Sequence, residues 1–537
     1  MTDEPATHFD ALIVGAGFAG LYQLYCLREK LALSVKVLEA ADGVGGTWYW
    51  NRYPGARCDS ESHSYGFHFS DELMREWEWT ERFPAQDEVL RYINWAADRL
   101  DLKRDIRFNT RVTEAHYDET RQVWQLRTEA GERYSARFLI TAVGCLSSAN
   151  VPDIAGLEDF EGDWHHTGQW PHDGVDLDGR QVGLIGTGST GIQAAPVIAE
   201  KAAHLHVFQR SATYSVPAGN HPLSPEFKRY VKDNAAQIRA AMHATASGHP
   251  FANSDRLAMQ TPAQERQAIY EAAWQKGGLQ FRATFGDLLL DQAANDTAAQ
   301  FVRDKIRSIV NDPVTARTLS EVDHPYATKR PPIDTNYYDT FNRDNVTLVD
   351  VRAAPIERIT AQGIRTRDAF YPLDTIVFAT GYDAVTGPLL RMGITGRGGR
   401  ALADEWQDGP RTYLGLQVPG FPNLFTITGP GSPSVLTNMP VAIEQHVEWI
   451  TDCIAHLRER RSHSIEAKPD ARDWWVDVVN DAAAASLLSS ATTSWYHGAN
   501  VPGKPRVFMP YAGGMARYRQ ICAEVAAKDY EGFILGR

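Results

Sequence analysis

Two copies of one glycine pattern, far apart in the chain, constrain its fold more than anything else in the sequence. The first lies in residues 9–20 (FDALIVGAGFAG). Ala11, Leu12, Ile13 and Val14 form a short apolar run that predicts a buried strand, and Gly15, Gly17 and Gly20 complete GxGxxG. Each glycine has a physical task. Gly15 makes the tight turn, Gly17 admits a pyrophosphate to the backbone, and Gly20 lets the following helix pack closely on its strand. That helix turns its N-terminal N–H groups towards the phosphates. A second strand, 35–38, ends in Glu39, an acid placed to accept from ribose hydroxyls. GxGxxG alone is a weak signal. Strand, glycines, helix, strand and acid in that order are a strong one.

The second copy is 181–191 (QVGLIGTGSTG), with Gly186, Gly188 and Gly191, a helix over 192–201 and a strand over 205–208. Thr187 and Ser189 sit in this phosphate loop, where backbone amides matter more than hydroxyls. Its second strand ends in Gln209, Arg210 and Ser211 rather than an acid. A carboxylate there would repel a 2′-phosphate, whereas a guanidinium binds it as a fork. The first unit therefore reads as an FAD site and the second as an NADPH site. Two apolar stretches, 138–144 (FLITAVG) and 376–381 (IVFATG), predict strands from which the chain crosses between them.

The expected architecture is α/β, with two Rossmann-like dinucleotide-binding domains, the second inserted in the first. Residues 1–149 and 383–537 are assigned to the FAD domain, and 150–224 and 310–382 to the NADPH domain. Residues 225–309 are alanine-rich at helical spacing (FKRYVKDNAAQIRAAMHA) and predict a helical insertion that acts as a cover.

Composition excludes several classes. A net charge of −13 without any basic run argues against a nucleic-acid partner. No eighteen-residue apolar stretch predicts a membrane span, and the first ten residues lack a basic-then-apolar signal pattern. Five scattered cysteines make neither a metal clip nor the adjacent redox pair of a disulfide reductase, and fit reduced thiols in a cytoplasmic protein. No metal is expected, and a monomer or weak homo-oligomer is.

Two further segments carry a resemblance. Residues 160–171 (FEGDWHHTGQWP) match FxGxxxHxxxWP through Phe160, Gly162, His166, Trp170 and Pro171. Residues 45–59 match GGxWxxxxYPGxxxD through Trp48, Tyr53, Pro54, Gly55 and Asp59. Both resemble signatures of the type I Baeyer–Villiger monooxygenases, and the likeness runs over essentially the whole chain. Residues 329–332 (KRPP), followed by YYDTFNRDNV, resemble that family's active-site arginine segment. Residues 495–506 (WYHGANVPGKPR) resemble its mobile loop over the nicotinamide cofactor. Residues 429–439 (GPGSPSVLTNM) are closer to its phenylacetone and steroid monooxygenase branch than to its cyclohexanone branch.

The resemblance implies an enzyme that uses FAD, NADPH and O2 to convert aryl, linear or bulky cyclic ketones into esters or lactones. It implies a C4a-peroxyflavin and a Criegee adduct on the way, with sulfoxidation as a side activity. The rival reading is a flavin monooxygenase that oxygenates nitrogen or sulfur. Arg330 is the expected catalytic cation, because a guanidinium keeps its proton where an ammonium loses it, and Asp59 is expected to hold it in place. The expected cofactor contacts are Gly15, Gly17, Gly20, Glu39, Thr47, Trp48, Asp59, Gly186, Thr187, Gly188, Ser189, Gly191, Arg210, Ser211, Lys329, Arg330 and Trp495. Leu436 and Met439 are expected to shape the substrate pocket. His166 is placed in an interdomain linker, where it orients the two nucleotide units with Trp170 and takes no part in the chemistry.

Overall fold

The apolar run at the N-terminus is sheathed on both faces, which is why it shows no alternation. In the computed structural model, which describes residues 6–536, Ala11, Leu12 and Ile13 are fully enclosed in the strand Thr7–Val14. That strand pairs in parallel with Val35–Leu38 on one side and Arg133–Thr141 on the other. The complete sheet has eight strands, in the order Ile394–Thr395, Val112–Asp118, Val123–Thr128, Arg133–Thr141, Thr7–Val14, Val35–Leu38 and Ile106–Arg107, with Leu424–Thr426 also paired to Arg133–Thr141. Early and late parts of the chain thus build one sheet. The helices Phe18–Tyr25 and Met439–Glu459 close its core, joined by a bond from Gln23 Nε2 to Thr451 Oγ1 of 3.2 Å.

A second sheet has five parallel strands, in the order Val346–Asp350, His204–Gln209, Gln181–Ile185, Thr375–Phe378 and Asp163–His166. Its edge strand corrects the sequence reading of the FxGxxxHxxxWP segment. His166 is the last residue of that strand rather than part of a free linker. Four residues are too few to show a period, and the strand they pair with lies far along the chain. The ring of His166 nevertheless ties the crossing: Nδ1 accepts from Gly168 N at 3.0 Å and Nε2 donates to Gly381 O at 3.1 Å. Burial pushes its pKa down to about 4, so the ring is neutral at pH 7.

Residues 142–150 and 379–385 carry the chain between the sheets, and they run side by side. Asn150 N donates to Gly381 O at 3.0 Å, Thr380 Oγ1 to Asn150 O at 2.7 Å, Asp383 N to Ser148 O at 2.8 Å and Val385 N to Cys145 O at 2.9 Å. The two crossings are thus bonded to each other along their length.

The alanine-rich stretch forms the helices Pro225–Asp233, Ala235–Ala244, Ala263–Lys276 and Gln292–Ile309. They divide their packing. Ile238 and Met242 join the core of the first sheet, while Tyr270, Trp274, Phe301, Val302 and Ile306 join that of the second. Ala294, Ala298, Val302 and Ile306 recur at helical spacing on the buried face of Gln292–Ile309, so Ala294 and Ala298 are core contacts, as is Ala299. Among the described residues there is no helix long and apolar enough to cross a membrane, and no His/Cys/Asp/Glu group that could hold a metal ion. All five cysteines are buried and free.

Candidate active site

A cavity of about 750 Å³ opens between the two glycine loops. At the first loop Gly15 has φ +103°, and a Cβ there would lie 2.5 Å from Ala142 O. A Cβ on Gly20 would lie 1.8 Å from Gly15 O. These two glycines are required by backbone packing. Gly17 is different: its nearest neighbour is Gly46 Cα, 3.4 Å from a Cβ placed there. It lines the cavity under a roof formed by Gly45 and Gly46, with Gly45 N donating to Ala16 O at 3.0 Å.

Glu39 closes the far end of this trough. It is 5% exposed and accepts from Ala16 N at 2.6 Å and Ala41 N at 2.8 Å. Burial raises its pKa, and the two backbone donors oppose that rise. Each oxygen keeps a further lone pair for a hydroxyl donor. Thr47 and Trp48 also line the cavity, and Trp48 Nε1 donates to Tyr65 OH at 3.2 Å.

The second loop repeats the geometry. Gly186 has φ +112°, and a Cβ there would meet Ala379 O at 2.4 Å; one on Gly191 would meet Gly186 O at 2.1 Å. A Cβ on Gly188 would meet nothing within 4 Å. Gly188 and Ser189 line the cavity. Thr187 does not; its hydroxyl donates to Ser211 O at 2.9 Å, which uses it to hold the loop against the next strand end. Gly20, Gly186, Gly191 and Ser211 likewise lie behind the walls. Arg210 is exposed at the strand end. Lys329 reaches the cavity nearby, its pKa lowered by burial and by the charge of Arg210 against the opposing pull of Asp323.

Arg330 and Asp59 stand together on the cavity wall. Nε of Arg330 donates to Asp59 Oδ2 at 2.6 Å and Nη2 to Oδ1 at 2.9 Å, a two-pronged fork. The side chains are 20% and 28% exposed, so the pair is sheltered yet reachable. Burial draws the Arg330 pKa down, but the charge and bonds of Asp59 outweigh it and the net displacement is upward. The guanidinium is permanently charged. Its remaining Nη1 donates to Val435 O at 3.3 Å.

Val435 belongs to the single turn Ser434–Leu436. Val435, Thr437, Met439 and Ile443 line the cavity; Leu436 does not, although it packs in the same apolar cluster as Val435, with Cys145, Val385 and Tyr496. The expectation for Leu436 is therefore corrected to its neighbour Val435. A tight turn rotates successive side chains by about 120°, and sequence does not reveal which one faces inward. Trp495, in the turn Trp495–His497, also lines the cavity. Its loop is latched to the second crossing, with Asn500 Nδ2 donating to Tyr382 O at 2.7 Å and Lys504 Nζ to Asp383 Oδ1 at 2.7 Å.

Sequence reasoning missed the joint between the loops. Tyr53 OH donates to Gln193 Oε1 at 2.8 Å, Gln193 Nε2 donates to Arg57 O at 3.0 Å, and a Cβ on Gly55 would meet Gln193 O at 2.3 Å. The YPG segment thus docks on the helix Ser189–Lys201, and Tyr382 OH bonds Asn51 beside it. A glutamine inside the otherwise apolar run 192–199 of that helix was the available signal.

Two glycine-built phosphate troughs opening on one cavity, with a fork-held arginine on its wall, define a two-dinucleotide oxidoreductase. A family model described as pyridine nucleotide-disulphide oxidoreductase matches residues 12–272. A Baeyer–Villiger monooxygenase from Pseudooceanicola batsensis is 44% identical, covering 100% of this chain and 98% of its own. The phenazine N-monooxygenase PhzNO1 from Lysobacter antibioticus is 43% identical, covering 100% and 98%. A structure of oxidized steroid monooxygenase bound to NADP is similar at 51% identity and a TM-score of 0.94, covering 99% of this chain and 100% of that one. The chain belongs to the type I Baeyer–Villiger monooxygenase family.

Proposed function

We propose that this protein is an FAD- and NADPH-dependent monooxygenase that inserts one oxygen atom beside a ketone carbonyl. Ketone, O2, NADPH and a proton give ester or lactone, NADP⁺ and water. The observation that carries this reading is the Arg330–Asp59 fork on the wall of a cavity shared by both phosphate troughs.

The residues fit the two cofactors. Both middle glycines are free of the tight backbone contacts that fix their neighbours, Gly17 with Gly46 Cα 3.4 Å from a Cβ placed on it and Gly188 with nothing within 4 Å, and a small residue there lets a pyrophosphate approach. FAD would be held by Gly15, Gly17, Glu39, Thr47 and Trp48. NADPH would be held by Gly188 and Ser189, with Gly186, Gly191 and Ser211 shaping the loop from behind, Arg210 and Lys329 at its 2′-phosphate and Trp495 over its nicotinamide end. When bound, the flavin would supply the redox chemistry that delivers one atom of O2, with NADPH as its hydride donor. The protein keeps a positive charge where anionic character develops. Asp59 fixes the plane of the guanidinium, and the partly enclosed position of Arg330 strengthens its field. Val435, Thr437 and Met439 would orient the ketone against it. In this reading residues 1–149 and 383–537 serve FAD, 150–224 and 310–382 serve NADPH, and 225–309 pack against both. A cytoplasmic monomer or weak oligomer accords with the five free thiols.

The 43% identity to a phenazine N-monooxygenase favours a second reading, oxygenation of an aromatic nitrogen. Turnover under ¹⁸O2 with an aryl ketone, a cyclic ketone and phenazine separates the two. The expected outcome is ester or lactone carrying one ¹⁸O, with one NADPH consumed per product. Untouched ketones together with a labelled N-oxide would establish the second reading instead.

A further inference from the structure

The turn that carries Val435 is strained. Ser434, its first residue, sits at φ +39°, a left-handed conformation that side chains avoid, and such strain persists only where the surroundings fix it. Three carbonyls take part in fixing it. Val435 O accepts from Arg330 Nη1 at 3.3 Å. Ser247 O, on the loop after the helix Ala235–Ala244, accepts from Asn438 N and Thr437 Oγ1, each at 2.8 Å. The third is Ser64 O, which accepts from Asn438 Nδ2 at 2.6 Å.

Asn438 is used in an unusual way. It directly precedes the helix Met439–Glu459, where an asparagine side chain ordinarily caps the first turn, yet its side chain makes no cap bond. It is fully buried, as is Ser64, and it does not line the cavity. A buried amide that forgoes its cap is committed elsewhere, and the bonds show where. Ser64 ends the turn Ser62–Ser64, which follows Asp59 closely in the chain. That segment is pinned by Ser62 N donating to Arg82 O and Arg82 Nη2 donating to Glu61 Oε1, each at 2.7 Å. Asp59 holds Arg330 by its fork, Arg330 holds Val435 O, and Asn438, just beyond Val435, returns to Ser64. The contacts close a ring around the fork, and Asn438 supplies the link that lies outside the catalytic pair. Further along the same helix, Glu444 Oε1 accepts from His68 N at 2.6 Å, so the two segments stay joined without Asn438 and only the turn is freed.

Resting on the monooxygenase reading above, we infer that Asn438 is a positioning residue, whose amide holds the substrate turn to the Asp59 segment and so fixes the Arg330 guanidinium relative to the ketone. A preorganised charge stabilises a developing anion only from the right place, and small displacements are costly. A side chain outside the cavity then governs how much of the consumed NADPH ends in ester.

The test uses flavin-loaded full-length protein with NADPH and a cyclic ketone, comparing Asn438→Ser and Asn438→Asp with the wild type. Both replacements are good helix caps, so the helix keeps its start. Serine is too short to reach Ser64 O, and aspartate can donate to it only when protonated. At about pH 8.5 the lactone formed per NADPH should fall about tenfold in both variants. Hydrogen peroxide should make up the difference, with flavin content and KM for NADPH unchanged. At about pH 6 the Asn438→Asp yield should climb back towards the wild type, because burial and the facing carbonyl favour the protonated acid, while Asn438→Ser stays low. Wild-type yields in both variants overturn the role, and so does a loss of equal depth in both at every pH, which marks a packing defect. If the wild type itself forms no lactone, the proposed reaction fails, and the rate at which phenylglyoxal modifies Arg330, read by peptide mass spectrometry, decides the positioning role. Faster modification in both variants at the higher pH supports it, and equal rates overturn it.

Discussion

The two glycine loops share a backbone and differ in everything around it. Gly15 and Gly186 lie at φ +103° and +112°, and Gly17 and Gly188 both have φ −81° with ψ −166° and −168°. The third glycine of each loop presses on the carbonyl of the first. Over Gly17, however, lies the Gly45–Gly46 roof, and over Gly188 nothing. The first trough ends at a buried carboxylate, Glu39; the second ends at exposed Arg210 and the partly enclosed Lys329. Shared backbone geometry serves what the two cofactors share, a pyrophosphate. In the proposed reading the surroundings set which cofactor binds: the buried carboxylate suits the ribose of FAD and the exposed guanidinium suits a 2′-phosphate.

Valine substitution of the middle glycines breaks this comparison most severely. Gly17→Val puts a branched side chain against Gly46 Cα, 3.4 Å from its Cβ, and blocks the approach of a pyrophosphate, so the protein should purify folded by circular dichroism but without yellow colour. Gly188→Val, in the open trough, should keep its flavin and lose NADPH affinity instead. Yellow, fully loaded Gly17→Val would remove FAD from the first trough.

A smaller effect is expected at the strand ends. Arg210→Ala deletes a charge-assisted contact to a 2′-phosphate, and NADPH should weaken by about 10–100-fold. NADH, with no such phosphate, should hardly change. Equal loss for both cofactors in steady-state KM measurements would make Arg210 a structural residue.

The loops were legible in the sequence because their constraint is local. A turn at positive φ and a helix pressed on a carbonyl each demand glycine at a fixed offset. Arg330 and Asp59 were legible through short motifs, although their meeting joins segments 271 positions apart. What stayed hidden depends on contacts that no local pattern encodes. Gln193 acquires its role when the Tyr53–Gly55 turn docks on its helix. His166 becomes a strand residue by pairing with the strand Thr375–Phe378. Val435 rather than Leu436 faces the cavity because of how one tight turn is rotated. The division of the alanine-rich helices between two cores is equally a property of packing, since alanine marks a buried face as weakly as an exposed one.

In the proposed reaction Arg330 acts after flavin reduction rather than in cofactor binding. The decisive measurement is the partition of NADPH oxidation between ester and hydrogen peroxide in Arg330→Ala, with flavin content and anaerobic flavin bleaching recorded on the same sample. Flavin content should be normal and NADPH should still bleach it. Ester formation should fall by about two to three decades, the usual cost of removing one preorganised charge donor, and peroxide should take up the consumed NADPH. Arg330→Lys should recover little, because an ammonium cannot form the fork with Asp59. Ester formed by Arg330→Ala at the wild-type yield per NADPH would contradict the account.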